Sequence, residues 1–366
     1  MRVAILFNAV SEQAQTDELD VLVQLEAVAA SLAHLGHETV KIPCDLNVHE
    51  TARALDRFKP DVVFNLVECL EGHGRLIFLV PAVLDAMGIS YTGSHADALF
   101  LTSHKILAKE RIRAAGLPTA DWFGPWPNGA MTPIVKRRES SRRKSSFIIK
   151  SVWEHASFGM DDCMVIRQAD RGTLMRALEE WAPRLRGECF AEAFVDGREF
   201  NISVIATADG PRVLPIAEIH FINYPKDKPK IVSYKAKWEE DSFEYQRTPR
   251  SFDFPAEDAE LLEELGRLTR LSWDLFALRG YARVDFRVDS KGRPYILEIN
   301  ANPCISPDSG FVAAAQQGGL DYDAVIGAIL EDAVGRLPGS SLREERRPNE
   351  SASRRLVRRG KGRDAT

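Results

Sequence analysis

The chain has 366 residues, 45% apolar and 28% charged, with a net charge of −5, a balance that fits a globular protein of two or three domains and excludes a disordered one. No apolar run reaches the ~18 residues of a membrane helix, the longest candidate being Leu76–Leu84, and an acidic body argues against a general nucleic-acid binder. The five cysteines (Cys44, Cys69, Cys163, Cys189, Cys304) include no CxxC pair, so reduced thiols in a cytoplasmic protein are expected rather than a zinc site or a disulfide framework.

The opening residues Met1–Phe7 lack a signal peptide's long apolar region and small-residue cleavage site, so a first strand, Val3–Phe7, is expected there. Leu22, Leu25, Ala29 and Leu32 recur at helical spacing, and Gly36 closes that helix. Thr39–Ile42 predicts a short strand, Asp61–Leu66 a strand buried on both faces, Leu76–Met87 a helix ending at Gly88, and Ile89–Tyr91 a further short strand. This alternation predicts a Rossmann-like parallel sheet covered by helices over residues 1–100.

A central α+β unit is expected over 101–188. Ser103 reads as the cap of a helix Lys105–Ala115, which Gly116 and Pro118 terminate. The basic stretch Lys136–Lys144 reads as an exposed loop, followed by strands Ser146–Lys150 and Cys163–Ile166 and a helix near Asp170–Trp181. Residues 189–338 form a strand-rich third unit: Cys189–Ala193, Glu199–Ala206, Val213–His220, Ala282–Val288 and Pro294–Asn300, with a long helix Ala256–Phe276 and a last one at Asp321–Arg336. Residues 339–366 hold nine basic residues against four acids and almost no apolar ones, the composition of a solvated, disordered tail.

The segment Tyr281–Asn300 carries the most chemistry. Two apolar-rich strands flank a turn at Lys291-Gly292, a hairpin signal. Alternation puts Arg283, Asp285 and Arg287 on one face, with Ala282, Val284 and Phe286 on the other; Ile296, Glu298 and Asn300 share a face of the return strand. A turn centred on Lys291-Gly292 sets Asp285 opposite Glu298 and Arg283 opposite Asn300. Two opposed carboxylates repel unless a cation lies between them, and with an amide oxygen they form a hard, oxygen-only ligand set suited to Mg²⁺. The plainer alternative is a solvated sheet face. Against it, Leu297-Glu-Ile-Asn300 is flanked by apolar residues and runs into an Asn/Pro/Ser loop, where sites are usually built.

Asp285 followed by Leu297-Glu-Ile-Asn-Ala-Asn-Pro303 resembles the metal-binding end of the ATP-grasp superfamily, most of all the D-alanine–D-alanine ligase group. The resemblance runs from about Val62 to Gly318 and includes four further segments in the family's order. Ile89-Ser-Tyr-Thr-Gly-Ser94 with Lys105-Ile-Leu-Ala-Lys109 is similar to the domain junction. Ile148-Ile-Lys150, with the loop to Met160, is similar to the phosphate clamp. Glu192-Ala-Phe-Val-Asp-Gly-Arg-Glu199 is similar to the hinge that holds adenine and ribose. Ser233-Tyr-Lys-Ala-Lys-Trp238 is similar to a mobile loop carrying a further phosphate lysine. The resemblance implies an ATP-grasp fold, with the Rossmann-like domain followed by two α+β domains clamping ATP.

It also implies a reaction, in which ATP phosphorylates a carboxylate and an amine then attacks the acyl phosphate, releasing ADP and phosphate. Lys105, Lys150, Lys237 and Ser157 would meet the phosphates, and Glu192, Ala193 and Val195 the adenine. Glu199 would bind ribose, and Leu297 belongs with the ATP-binding set. Asp285, Glu298 and Asn300 would hold two Mg²⁺, for which Mn²⁺ could substitute. Arg283, with Lys237 and Ser157, would serve catalysis. The partners implied are small carboxylate and amine substrates, amino acids or short peptides, with a homodimer allowed for and neither membrane nor nucleic acid expected.

The amino-acid end departs from the family. Phe7-Asn-Ala-Val-Ser-Glu-Gln13 replaces a glycine-rich loop, leaving Glu12 as the candidate acid for the first amino acid. Asn65-Leu-Val-Glu68 replaces a His-Gly segment, which brings in Glu68. Ala156 stands for the first of two serines, Cys304 for a glycine of the oxyanion hole, and Ser309 aligns with a serine that contacts the second amino acid. The substrates therefore need not be D-alanine. An authentic D-alanine–D-alanine ligase, an ATP-binding pseudoenzyme acting as a scaffold, and a nucleic-acid binder led by the basic tail are the competing readings. Retention of Asp285, Glu298, Asn300, Arg283 and three lysines counts against the pseudoenzyme.

Overall fold

The computed structural model describes residues 1–10, 16–127, 145–154, 157 and 159–335; the expected loop 136–144, the tail 339–366, Glu12 and Ala156 lie outside the described residues. β1 (Arg2–Asn8), β2 (Glu38–Cys44) and β3 (Val62–Asn65) form a parallel sheet in the order β2-β1-β3, as the alternation predicted. β3 is buried at all four positions. Its two faces explain that run. Helix α1 (Thr16–His34) covers one, while α2 (Val48–Phe58) and α3 (Leu79–Met87) cover the other. Gly88 ends α3 in the left-handed region at φ 67°, where glycine carries no Cβ penalty. Ile89–Tyr91 is not a strand. Only a single parallel bridge joins Tyr91 to Val63, because the chain turns at once into α4 (Ala96–Ser103).

Ser103 does not cap the next helix. It is the last, buried residue of α4, and the cap of α5 (Lys105–Ala114) is His104, whose ring accepts from the Leu107 amide at 3.2 Å. The central sheet has the order β4-β7-β5-β6, from β4 (Trp122–Trp126), β5 (Ser145–Ser151), β6 (Val165–Ala169) and β7 (Cys189–Ala193), with α6 (Arg171–Trp181) packed on it. Two expectations change here. Cys163–Ile166 begins as a 3₁₀ turn over Asp162–Met164, so the strand starts at Val165. β7 pairs with β4 and β5, so by sheet membership the unit boundary falls after Ala193 and not before Cys189.

The third sheet runs β11-β10-β8-β12-β13, with β9 also paired to β8. Its strands are β8 (Gly197–Thr207), β9 (Gly210–Val213), β10 (Ala217–Ile219), β11 (Arg250–Ser251), β12 (Tyr281–Asp289) and β13 (Pro294–Asn300). Val213–His220 is thus two strands rather than one, interrupted at residues 214–216. Between β10 and β11 a strap carries α7 (Tyr234–Trp238) and α8 (Phe243–Gln246). The expected mobile loop is therefore a short helix at Lys237, capped by the Ser233 hydroxyl. Helix α9 (Ala259–Leu275) backs this sheet. The last two helices, α10 (Gly310–Gln317) and α11 (Tyr322–Val334), return to the first unit and share one core with α1, β1 and β3. Burying these apolar side chains stabilises the fold by roughly 25 cal/mol per Å² removed from water and ties the chain's last helix to its first.

The hairpin register is as expected at the site and differs at the turn. Arg283 faces Asn300 and Asp285 faces Glu298, but Phe286 faces Ile296. The turn closes one residue earlier than predicted, with the Asp289 amide donating to the Arg293 carbonyl at 3.0 Å. Leu297 is the extra residue of a β-bulge that restores the offset. Ile296 therefore joins Ile299 in the core, not Glu298 and Asn300. Leu297, Glu298 and Asn300 all reach the opposite face.

Candidate active site

A cavity of about 610 Å³ lies between the central and third sheets, roofed by the strap and reaching α1 and the start of α10. Every candidate site residue from the sequence that is among the described residues lines it. At one end of it Glu192 is buried between two lysines. Lys150 Nζ donates to its Oε2 at 2.5 Å, and Lys109 Nζ lies 2.6 Å from Oε1. Burial alone would neutralise all three groups. Instead, burial notwithstanding, Lys109 and Lys150 hold the Glu192 carboxyl below its usual range, and Glu192 lifts Lys150 above its own. A carboxylate has about four lone-pair sites, so Glu192 keeps capacity for another donor.

Lys105 is buried and donates to the Glu154 carbonyl at 2.5 Å, and burial lowers its pKa. Glu199 lies 3.1 Å from Arg287, and burial raises its pKa despite that partner. Lys237 has no carboxylate within 4 Å among the described residues, and burial, then Arg283, lower its pKa. Ser157 does not present a free hydroxyl. Its O–H donates to the Val232 carbonyl at 2.8 Å, which ties the clamp loop to the strap.

Asp285 is held from two sides. Arg283 donates Nε to Oδ1 at 2.7 Å and a terminal nitrogen to Oδ2 at 2.9 Å, and Asn201 Nδ2 donates to Oδ1 at 2.8 Å. Burial works against the Arg283 charge, but Asp285 outweighs it and raises the pKa. Among the described residues no three or more His, Cys, Asp or Glu groups form a metal cage. Two carboxylates and an amide on neighbouring strands still fit Mg²⁺, which keeps waters and takes substrate phosphate oxygens rather than an all-protein cage.

At the far end the groups are of another kind. Asp20, on α1, accepts from the Cys304 thiol at 3.0 Å, and Cys304 Sγ lies 3.0 Å from Ser306 Oγ. Burial keeps Cys304 a thiol by raising its pKa well above the usual value, and raises Asp20 as well. Gln24 bridges the same junction. Its Nε2 donates to Glu68 at 3.2 Å, and its Oε1 accepts from the Ile305 amide at 2.8 Å. Burial pushes Glu68 up to about 7. Ser309 caps α10 by accepting from the Val312 amide, which leaves its own O–H to donate elsewhere.

Sequence reasoning missed Lys109, Asp20, Ser306 and Arg250. One signal for Asp20 was present. Asp20 and Gln24 are four residues apart, beside the apolar stripe of Val21, Leu25 and Val28, and a Gln only 1% exposed on such a stripe must have a partner.

A protein-family model described as the D-Ala–D-Ala ligase C-terminus matches residues 112–331. An uncharacterized protein of Sinorhizobium fredii is 30% identical, covering 87% of this chain and 89% of its own length. The D-alanine–D-alanine ligase of Moorella thermoacetica is 28% identical over 91% of this chain and 99% of its own. Among solved structures, D-alanine–D-alanine ligase from Bacillus anthracis complexed with ATP is similar with a TM-score of 0.67 at 20% identity, covering 94% of this chain and 99% of that one. At that identity the likeness speaks for the fold alone, and the fold is ATP-grasp.

Proposed function

Because the chain belongs to the D-alanine–D-alanine ligase family, we propose that it is an ATP-dependent, ADP-forming carboxylate–amine ligase whose substrates differ from a pair of D-alanines. One observation carries the ligase reading: Lys105, Lys150, Lys237 and Arg283 converge with Asp285, Glu298 and Asn300 on a single cavity. Phosphoryl transfer is catalysed mainly by positioning and by neutralising charge, and this set offers cations from four elements around three oxygen ligands. The substrate carboxylate attacks the γ-phosphorus and ADP leaves. The amine then attacks the acyl carbon and phosphate leaves, with an amide formed. Glu192 would accept from the adenine amino group beside Ala193 and Val195, Glu199 would take the ribose hydroxyls, and Leu297 would pack on the base. Lys105 and Lys150 would hold the phosphates, with Lys237 closing from the strap. Asp285, Glu298 and Asn300 would hold Mg²⁺, or Mn²⁺ in its place, which supplies Lewis-acid polarisation of the phosphate when bound. Arg283 would face the charge developing at the reacting carbonyl, and Ser157 would reach a phosphate only by leaving Val232.

The altered substrate end supports the divergence. Specificity rests on polar groups that pair with the substrate, and Asp20, Glu68 and the Cys304 thiol give this end its own pattern of acids and a sulfur. The test is Mg-ATP turnover against D- and L-amino acids, singly and in pairs, beside an Asp285→Asn control. Phosphate release that needs a particular pair and vanishes in the control is expected. Highest kcat/KM with two D-alanines would overturn the divergence. ATP binding without turnover on any pair would overturn the ligase reading in favour of a pseudoenzyme.

A further inference from the structure

Seven cations line the cavity, and most are already balanced. Lys150 meets Glu192, Arg186 meets Glu154, Arg283 meets Asp285, and Arg287 meets Glu199. Lys105 is tied to a carbonyl. Like Lys105, two others have no carboxylate within 4 Å among the described residues: Lys237, assigned above to phosphate, and Arg250. Arg250 opens β11 at the end of the strap, and its contacts are two long ones, 3.5 Å to each of the Asp308 and Ser309 carbonyls. Its guanidinium rests against Gly310, the first residue of α10. A Cβ built there would meet Arg250 Cζ and a terminal nitrogen at 3.8 Å, an ordinary contact, which sets the planar group beside the helix start.

We propose that Arg250 is a specificity-determining residue for the amine-bearing substrate, receiving a carboxylate of that substrate between its guanidinium and the Ser309 hydroxyl. Several features make this the coherent reading. An arginine fork matches a carboxylate bidentately. The Ser309 oxygen accepts from its own helix, which leaves the O–H pointed at an acceptor rather than a donor. Arg250 is exposed to the cavity, and partial desolvation and the neighbouring Arg283 both disfavour its cation, so an arriving anion is favoured there. The place is also right. Arg250, Ser309 and Gly310 border the cavity on the Arg283 side, away from the Glu192 end assigned to adenine. The Asp308 side chain lines the cavity as well. It acts on Arg250 through space without pairing with it, which discourages a second anion at the same spot.

The inference rests on the ligase reading, and the experiment separates the two. Wild type, Arg250→Met and Arg250→Lys are given Mg-ATP and the full D- and L-amino-acid panel. Hydroxylamine first traps the acyl phosphate, its nitrogen displacing phosphate from the acyl carbon to leave a hydroxamate. Each amino acid and its α-carboxamide are then compared as the amine-bearing substrate. The ratio of kcat/KM for acid over amide is taken within each variant, so a general loss of activity or of folded protein cancels. Wild type is expected to favour the acid by about 10- to 100-fold, the range of a charge-assisted hydrogen bond. Arg250→Met should reduce that ratio to within about threefold, and Arg250→Lys should restore part of it. Hydroxamate formation with an undiminished acid preference in Arg250→Met would overturn the assignment of Arg250 alone. A raised KM for ATP with the acid preference intact would place Arg250 on phosphate instead. No hydroxamate from any acid with wild type would overturn the ligase reading, and this inference with it.

Discussion

The two ends of the cavity are built on different principles. At the end we assign to the nucleotide the side chains project from strands, joined by Lys109 from α5, and their charges are compensated before any ligand arrives: Lys109, Lys150 and Glu192 form one closed set, and Arg287 and Glu199 another. At the amino-acid end the groups come from a helix of the first unit and a loop after β13. They meet through a thiol, an amide and hydroxyls, with two acids shifted toward neutrality. A fixed ligand such as ATP is served by a pre-set charge pattern that a sheet holds rigidly. Under the proposed divergence, the substrate end is served by contacts across a domain junction, where one substitution changes the pocket and leaves the sheet intact.

The contrast can be broken hardest at the Asp285–Glu298 pair, proposed above to hold the metal. Asp285→Asn should lower kcat by at least about 10³-fold, as loss of charge at a phosphoryl-transfer centre does, and steady-state ADP release measures it. A smaller effect would mean that Glu298 and Asn300 suffice. Next comes Lys150→Met, which leaves Glu192 with Lys109 alone. Breaking a buried pair from one side costs about 3–5 kcal/mol, so thermal unfolding should shift down markedly and the KM for ATP should rise. If ATP affinity is kept while stability falls, Lys150 is structural and the nucleotide end loses one of its phosphate groups.

The amino-acid end should answer more gently. Cys304→Gly removes the donor that orients Asp20 and is expected to raise the KM for the first amino acid by about 3- to 10-fold, the scale of one net hydrogen bond. The KM for ATP should not move, and Cys304→Ser should recover most of the loss. Equal changes in both KM values would erase the distinction between the ends. The smallest effect is electrostatic. The folded pKa of Glu68, about 7, lies above its ordinary value of 4.5, so between those values the folded state binds the extra proton. Stability should therefore fall as pH rises from about 4.5 to 7 and stay lowered above it. Glu68→Gln should be stabilised relative to wild type by an amount that grows from pH 5 to pH 8, of order 1 kcal/mol. A Tm difference independent of pH would exclude that titration.

How much of this was legible in the sequence follows the same division. Strand periodicity placed Arg283, Asp285 and Arg287 on the cavity face and Ala282, Val284 and Phe286 in the core, because a strand's register is local information. The Asp285–Glu298 pairing was also reached, although the turn was placed one residue late, since the bulge at Leu297 offsets the difference. That bulge, and the exile of Ile296 to the core, left no trace in the alternation. Lys237 looked like a surface lysine among charged neighbours, and only the strap folding over the cavity brings it to the cavity wall. Asp20 was overlooked because the acid was sought in the loop at Phe7–Gln13. Its partner Cys304 lies 284 residues away, and no local pattern encodes a contact between units. The split of Val213–His220 and the membership of β7 were missed for the same reason, since strand pairing is settled by neighbours distant in the chain.

The bulge at Leu297 has a consequence for how such a site changes over time. Removing that one residue would leave β13 regular from Pro294 onward, with Asp285 still opposite Glu298 and Arg283 still opposite Asn300, since the register on either side already differs by one position. An insertion or deletion here is therefore nearly silent for the charged pairs. It adds or withdraws only an oily side chain beside Glu298. A lineage could gain or shed that apolar contact in a single mutational event and keep the Asp285–Glu298 face in frame, whereas a length change within the paired residues 286–288 or 294–296 would have to be matched by a second one.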